Sequence, residues 1–181
     1  MRNGVRIGTN TISIRCDGPS TRVGIFTSIA VKIGFLTLYR FDQTETEHWV
    51  GGRFVSMVSR TDDDGAVHHV SAEAERGALS VTADGKTKQM AGNLLPSSLW
   101  NVALARQTSA LSTVDGKLMR IAVTDRGAQD LPAPGHQIAA HRYSLRGLFS
   151  QDVWYDSRGD LVRLQLRGSD GSTIVYQPVS P

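Results

Sequence analysis

Glu45, Glu47 and His48 are the residues whose types and spacing come nearest to acid–base chemistry. In an extended chain, side chains two positions apart leave the same face, so Glu45 and Glu47 form a carboxyl pair. Such a pair with an imidazole nearby is what a small hydrolase or isomerase uses to move protons. An exposed polar strand end accounts for the same residues equally well. A second cluster joins Asp62, Asp63 and Asp64 to His68 and His69. Carboxylates suit a hard cation and histidines suit zinc, but calcium loops need more ligands at wider spacing. Adjacent histidines on a strand also point to opposite faces. The Asp run falls where a hairpin turn is expected, so a solvated turn is the expected reading and no metal is assigned. Ser97 and Ser98 stand near Trp100 without the Gly-x-Ser-x-Gly elbow of a serine nucleophile; helix capping is their expected role. No catalytic residue and no cofactor is assigned.

The aromatic residues offer a different chemistry. Trp49, Trp100, Trp154, Phe35, Phe41, Tyr39, Tyr143 and Tyr155 suit a core, where large aromatics usually reside, or the lining of an apolar slot. The expected ligand-binding set is Leu99, Trp100, Leu104, Tyr39, Phe41, Tyr143 and Trp154. Its ligand would be a lipid or another apolar small molecule.

Composition narrows the partners. The chain has 181 residues, with 20 Lys and Arg against 17 Asp and Glu, for a net charge of +3 with His neutral. The basic residues are scattered singly, which does not make a nucleic-acid footprint. No run is apolar enough for a transmembrane helix, and no signal peptide is visible before the first strand. The single Cys16 can form neither an internal disulfide nor a thiolate metal site. It ends an apolar alternation and is expected to be a buried small hydrophobe. Oligomeric state is not legible.

The elements that must position these residues are strands. Asp17-Gly18, Asp64-Gly65, Asp84-Gly85, Asp115-Gly116 and Asp170-Gly171, with Asn3-Gly4, Gly51-Gly52 and Arg158-Gly159, punctuate alternating segments. Such pairs tolerate the positive φ of tight hairpin turns, so the chain reads as an antiparallel meander. Val23, Ile25, Thr27, Ile29, Val31 and Ile33 give the cleanest two-residue period, broken at Gly34. A phase change over 8–11 predicts a bulge in the first strand. Residues 126–135, with two prolines and two glycines, read as a surface loop. About ten strands in one sheet would exceed what an open twisted sheet carries without curling. The exception is Asn93–Gln107, where Ser97 or Ser98 can cap a helix bearing Leu99, Trp100, Ala103 and Leu104 on one stripe.

Leu95-Pro96-Ser97-Ser98-Leu99-Trp100-Asn101, the run Ser59 to Gly65, Val70 to Ala74, Leu148 to Asp156 and Asp170 to Tyr176 together resemble a bacterial family, domain of unknown function 6134. The likeness runs from Gly4 to Tyr176, and Trp154-Tyr155-Asp156 resembles a strand of other secreted β proteins. It implies export to the periplasm or beyond and carries no activity or catalytic residues.

The resulting expectation is a single all-β domain over 1–181 with one short helix: an antiparallel meander curved into a half-barrel or open barrel around that helix. The expected function is non-enzymatic binding of an apolar or amphiphilic ligand on the concave side. The alternatives are carboxylate–histidine catalysis by Glu45, Glu47 and His48, or a scaffold that recruits another protein through a sheet edge.

Overall fold

The computed structural model describes residues 1–33, 36–133, 135–147, 150–168 and 170–177. Gly34 and Phe35, expected as a strand break and an aromatic, lie outside the described residues, as do Leu148 and Phe149 of the family-like run. The fold is all-β and antiparallel with one short helix. Its contacts gather into two compact units, one of Ile7–Ser97 with Leu111–Leu118, the other of Met1–Arg6, Ser98–Ala110 and Met119–Pro181.

The first unit is a seven-stranded meander of β1 (Gly8–Asp17), β2 (Ser20–Ile33), β3 (Leu36–Val50), β4 (Arg53–Asp63), β5 (Ala66–Ala74), β6 (Ala78–Ala83) and β7 (Lys86–Ala91), paired in chain order. Tight turns set the register. Asp64-Gly65 joins the paired Asp63 and Ala66 with φ of 52° and 95°. Asp84-Gly85 and Gly51-Gly52 join their strands in the same left-handed way, the geometry that matches strand twist. The expected bulge in the first strand is absent. β1 pairs with β2 without a shift from Gly8 to Asp17, and the phase change arises because Val5 and Ile7 precede the strand.

The register aligns side chains into cross-strand rows on one face, called inner here. One row runs Ile14, Val23, Glu47, Met57, Ala72 and Val81. The next runs Ile12, Ile25, Glu45, Ser59, Val70 and Ala83, and the third Asn10, Thr27, Gln43, Thr61 and His68. Met57, Val70, Ala72, Leu79 and Val81 are buried in one cluster with Leu94 and Leu111 of the same unit. A strap, Leu111–Leu118, crosses this face. Its turn is closed by Ser112 N–H to Lys117 O at 2.8 Å and Gly116 N–H to Ser112 O at 3.0 Å. Gly116 (φ 69°) lies so close to the sheet that a Cβ would stand 2.7 Å from Ala83 Cβ.

The second unit is a five-stranded meander of β11 (Ala122–Ala133), β12 (His136–Arg146), β13 (Gln151–Asp156), β14 (Leu161–Arg167) and β15 (Thr173–Tyr176). Three short strands, β8 (Leu95–Pro96), β9 (Ser109–Leu111) and β10 (Leu118–Arg120), precede it in the chain. Residues 126–133 are strand rather than the expected loop. Pro132 is tolerated because β11 is the sheet's edge, and Gly127 sits at a register shift, which is where such residues fit a strand. The described residues thus carry fifteen strands in three sheets rather than about ten in one.

The expected helix over Asn93–Gln107 shrinks to a 3₁₀ turn, η1 (Val102–Arg106). Asn101, not Ser97 or Ser98, caps it, its side chain accepting from Ala103 N–H at 2.9 Å. Leu99 has φ 67° and cannot continue a right-handed helix, which a bulky residue adopts only when its surroundings hold it there. The surroundings are Tyr155, whose hydroxyl donates to Leu99 O at 2.8 Å. Leu104 is the turn's buried anchor.

Candidate functional site

Strand β3 builds the site. Alternation sends Gln43, Glu45, Glu47 and Trp49 to the inner face, and all four are buried, Glu45 at 1% and Glu47 at 0% exposure. Their cross-strand neighbours explain the burial. Glu47 lies between Val23 and Met57, and Glu45 between Ile25 and Ser59. A carboxyl group in such a place must be neutral or hydrogen-bonded. Glu47 accepts from Trp49 Nε1–H at 2.6 Å, and Trp49 is held edge-on by Phe54 at 5.4 Å. Burial first, and then the adjacent Glu47 carboxyl, push the pKa of Glu45 well above the ordinary 4.5. Glu45 hydrogen-bonds to Glu47 and to the Thr113 side chain, yet its Oε1 is buried without a hydrogen-bond partner among the described residues.

The neighbouring polar row ties the strap to the pair. Gln43 Nε2 donates to Thr61 Oγ1 at 3.1 Å and to Thr113 O at 3.2 Å. Ser59 Oγ donates to the same carbonyl at 2.5 Å, and Thr113 N–H reaches Ser97 Oγ at 3.2 Å. Ser97 is therefore an acceptor for the strap rather than a helix cap. Replacing Gln43 with Ala leaves part of this buried network unsatisfied and is expected to cost about 1–3 kcal/mol. Urea denaturation reads that loss, and hydrogen exchange at the Thr113 amide should accelerate with it. Unchanged exchange would mean the strap is held by other contacts.

Past the polar row, the inner face of the β2–β3 hairpin continues as Ile29 and Phe41, in register with Asp63 at the end of β4, and then as Val31 and Tyr39 beyond it. Ile29, Val31 and Phe41 are half-buried and Tyr39 is exposed, its hydroxyl donating to Asp63 Oδ1 at 2.7 Å. This is apolar surface leading directly to buried polar groups.

The other sequence candidates are placed elsewhere. His48 is on the opposite face of β3, its Nε2 3.1 Å from Ser20 Oγ, so it does not converge with Glu45 and Glu47. Asp62, Asp63 and Asp64 work as turn residues. Asp62 Oδ1 accepts from Gly65 N–H at 2.9 Å and Asp64 Oδ1 from Arg40 N–H at 3.3 Å. His68 pairs with Asp84 at 2.8 Å, while His69 falls on the other face opposite Arg60. Cys16 is exposed rather than buried, because it closes an edge strand beside the turn.

Of the expected aromatic set, Tyr39 and Phe41 belong to the seven-stranded unit, and Leu99, Trp100, Leu104, Tyr143 and Trp154 to the other. Within the latter, Tyr143 pairs across from Val153 and Trp154 from Arg142, which puts the two rings on opposite faces. Tyr143 stacks near His141 and Tyr155, with centroids at 4.9 and 6.2 Å. Trp154 is buried between Arg142 and Arg163, whose guanidinium carbons stand 5.1 and 5.3 Å from the ring. Leu99 and Trp100 are half-buried.

The profile of a domain of unknown function, DUF6134, matches residues 1–179. The chain belongs to this family. No curated protein sequence matches it. The fold is similar to the crystal structure of a beta-barrel-like protein of domain of unknown function DUF1849 from Brucella abortus, with a TM-score of 0.64 at 12% identity. That likeness covers 94% of this chain and 86% of the other; at such identity it speaks to fold alone. No helix among the described residues is long and apolar enough to cross a membrane.

Sequence reasoning found Glu45 and Glu47 but not their companions Gln43, Ser59, Thr61 and Thr113. Alternation alone assigns polar side chains to solvent, so a polar stripe on the buried face reads as its opposite. The readable signal was parity: Gln43, Glu45, Glu47 and Trp49 share a face, and a tryptophan ends it.

Proposed function

We propose that this DUF6134 chain is a non-enzymatic envelope or periplasmic protein that binds an amphiphilic small molecule on the inner face of its seven-stranded sheet. The observation that supports it most is continuity. Partly exposed apolar side chains, Ile29, Val31, Phe41 and Tyr39, run along β2 and β3 into the buried polar row of Gln43 and the carboxyl of Glu45. Ligand sites are mostly apolar with a few placed polar groups that fix orientation. The deeper apolar face is filled by Leu94 and Leu111, so the ligand's chain lies on the hairpin end and only its head reaches inward. Tyr39 and Phe41 therefore remain in the proposed site. Export rests on the family resemblance.

The expected affinity is modest. Burying ~300 Å² of alkyl surface yields about 7 kcal/mol at ~25 cal/mol per Å², and association removes at least ~4. A hydrogen bond to a charged group adds about 1.5–3 kcal/mol, which together gives a dissociation constant on the order of tens to hundreds of micromolar. The test is lipid extraction of freshly purified protein followed by mass spectrometry, beside titration with C12 amphiphiles. Phe41→Glu places a charge in the proposed chain site and should abolish binding. An empty extract together with no saturable binding would remove the proposal.

Catalysis by Glu45, Glu47 and His48 requires the three to meet in a cleft. The opposite-face position of His48 disfavours that alternative.

A further inference from the structure

The hydrogen-bonding character of the inner face is lopsided. Around the carboxyl pair, the nearby donors are already engaged: Trp49 Nε1–H with Glu47, the Thr113 side chain with Glu45, Ser59 Oγ–H with Thr113 O, and Gln43 Nε2 with Thr61 and Thr113. Glu45 Oε1, on a side chain of 1% exposure, is left without a donor among the described residues. The cross-strand neighbours of the pair, Val23 and Ile25 on β2 with Met57 and Ser59 on β4, carry no charge. A buried acceptor costs stability unless it is satisfied, and a donor from outside the chain would satisfy this one.

From Glu45 to Phe41 is four residues of strand, roughly 13 Å at ~3.3 Å per residue. The single row between them is Thr27, Gln43 and Thr61. A chain lying on the half-exposed end of the hairpin would therefore present its head group toward Glu45, displacing Gln43 from Thr113 as it enters.

From these observations we infer that Glu45, with Glu47 beside it, is a head-group site for a primary ammonium, and that the ligand is a cationic alkyl amine rather than a fatty acid or alcohol. The inference rests on the amphiphile reading above and narrows it to one head-group chemistry. An ammonium supplies both the absent donor and a charge opposite to that of the pair. An alcohol supplies only a donor. A fatty acid brings a further acceptor to a place that already has too many. Where the pair holds a proton before binding, the arriving ammonium replaces it and the proton leaves to solvent.

The test uses the whole chain and three C12 compounds below their micelle concentrations: dodecylammonium, dodecanol and laurate. Calorimetric titration should give the amine about tenfold tighter than the alcohol, the gain of a charged over a neutral hydrogen bond, with laurate weakest. Repeating the amine titration in buffers of different ionisation enthalpy should reveal proton release. In Glu45→Gln the preference for amine over alcohol should fall to near one. Binding of all three with equal affinity, a preference for laurate, or an amine preference that survives Glu45→Gln would each overturn the head-group assignment while leaving an amphiphile site standing. Failure of all three to bind would remove the amphiphile reading as well. The three-ligand comparison is made on the natural sequence, so it decides the matter even if the variant does not fold.

Discussion

Trp154→Ala is expected to lose about 3–5 kcal/mol of stability, the range for deleting a large buried aromatic. The expectation is specific to what the indole touches. Its ring is 4% exposed and flanked by Arg142 and Arg163 across the two neighbouring strands. Its Nε1–H donates to Gln129 Oε1 at 2.9 Å. Leu131 and Ala140 pack in the same cluster. Removing the ring takes away the stacking surface of both guanidinium groups, whose Nε atoms are already buried without hydrogen-bond partners among the described residues. The melting temperature should fall by on the order of 10 °C. Trp154→Phe keeps the stacking face and loses the Gln129 bond, so it should recover most of the deficit. A small loss in Trp154→Ala would mean the arginines collapse onto the sheet and refill the space.

Met57→Ala is expected to cost about 2–5 kcal/mol, by lost transfer energy and by the cavity it leaves. Met57 is 1% exposed and lies between Glu47 and Ala72 in its row. Here the deletion has a second consequence. A cavity beside a carboxyl group is polar on one wall, and such a space can admit water. Hydrating the pair would relieve the burial that raises the pKa of Glu45, so the variant should be both less stable and less sensitive to rising pH. Met57→Leu, which conserves volume, should cost less than about 1.5 kcal/mol and keep the pH response. Chemical denaturation at two pH values separates these outcomes; equal pH slopes in Met57→Ala and the natural chain would detach Met57 from the pair.

The strands were legible because turn chemistry and alternation agree. Asp64-Gly65 and Asp84-Gly85 sit at two-residue turns with left-handed φ, and the alternation from Val23 onward became β2. The misreadings share one cause, that local pattern does not know where an element ends. Leu99, Trp100, Ala103 and Leu104 have helical spacing, but the bond from Tyr155 to Leu99 O comes from a strand more than fifty residues away. Residues 126–133 carry loop composition, and an edge position with a bulge accommodates them as strand. The carboxyl pair was visible as a pair. Its burial was not, because that depends on a register with Val23, Ile25, Met57 and Ser59 that no single stretch encodes.

The pH dependence follows from the direction of the shift at Glu45. Below the ordinary value of 4.5 the carboxyl is protonated in folded and unfolded chains alike, and its burial carries no ionisation penalty. As pH rises above 4.5 the unfolded chain releases the proton first, so stability declines until the folded-state pKa is passed. Glu45→Gln lacks this contribution and should gain on the natural chain as pH rises through that window.

The most direct measurement is a carbon-13 NMR titration of the Glu45 side-chain carboxyl in the intact protein. A carboxyl buried against Glu47 and the apolar rows keeps its proton well above pH 4.5, with a midpoint that disappears in Glu45→Gln. A Glu45 that titrates at the ordinary value of a solvated glutamate would contradict the buried pair, and with it the head-group site built upon it.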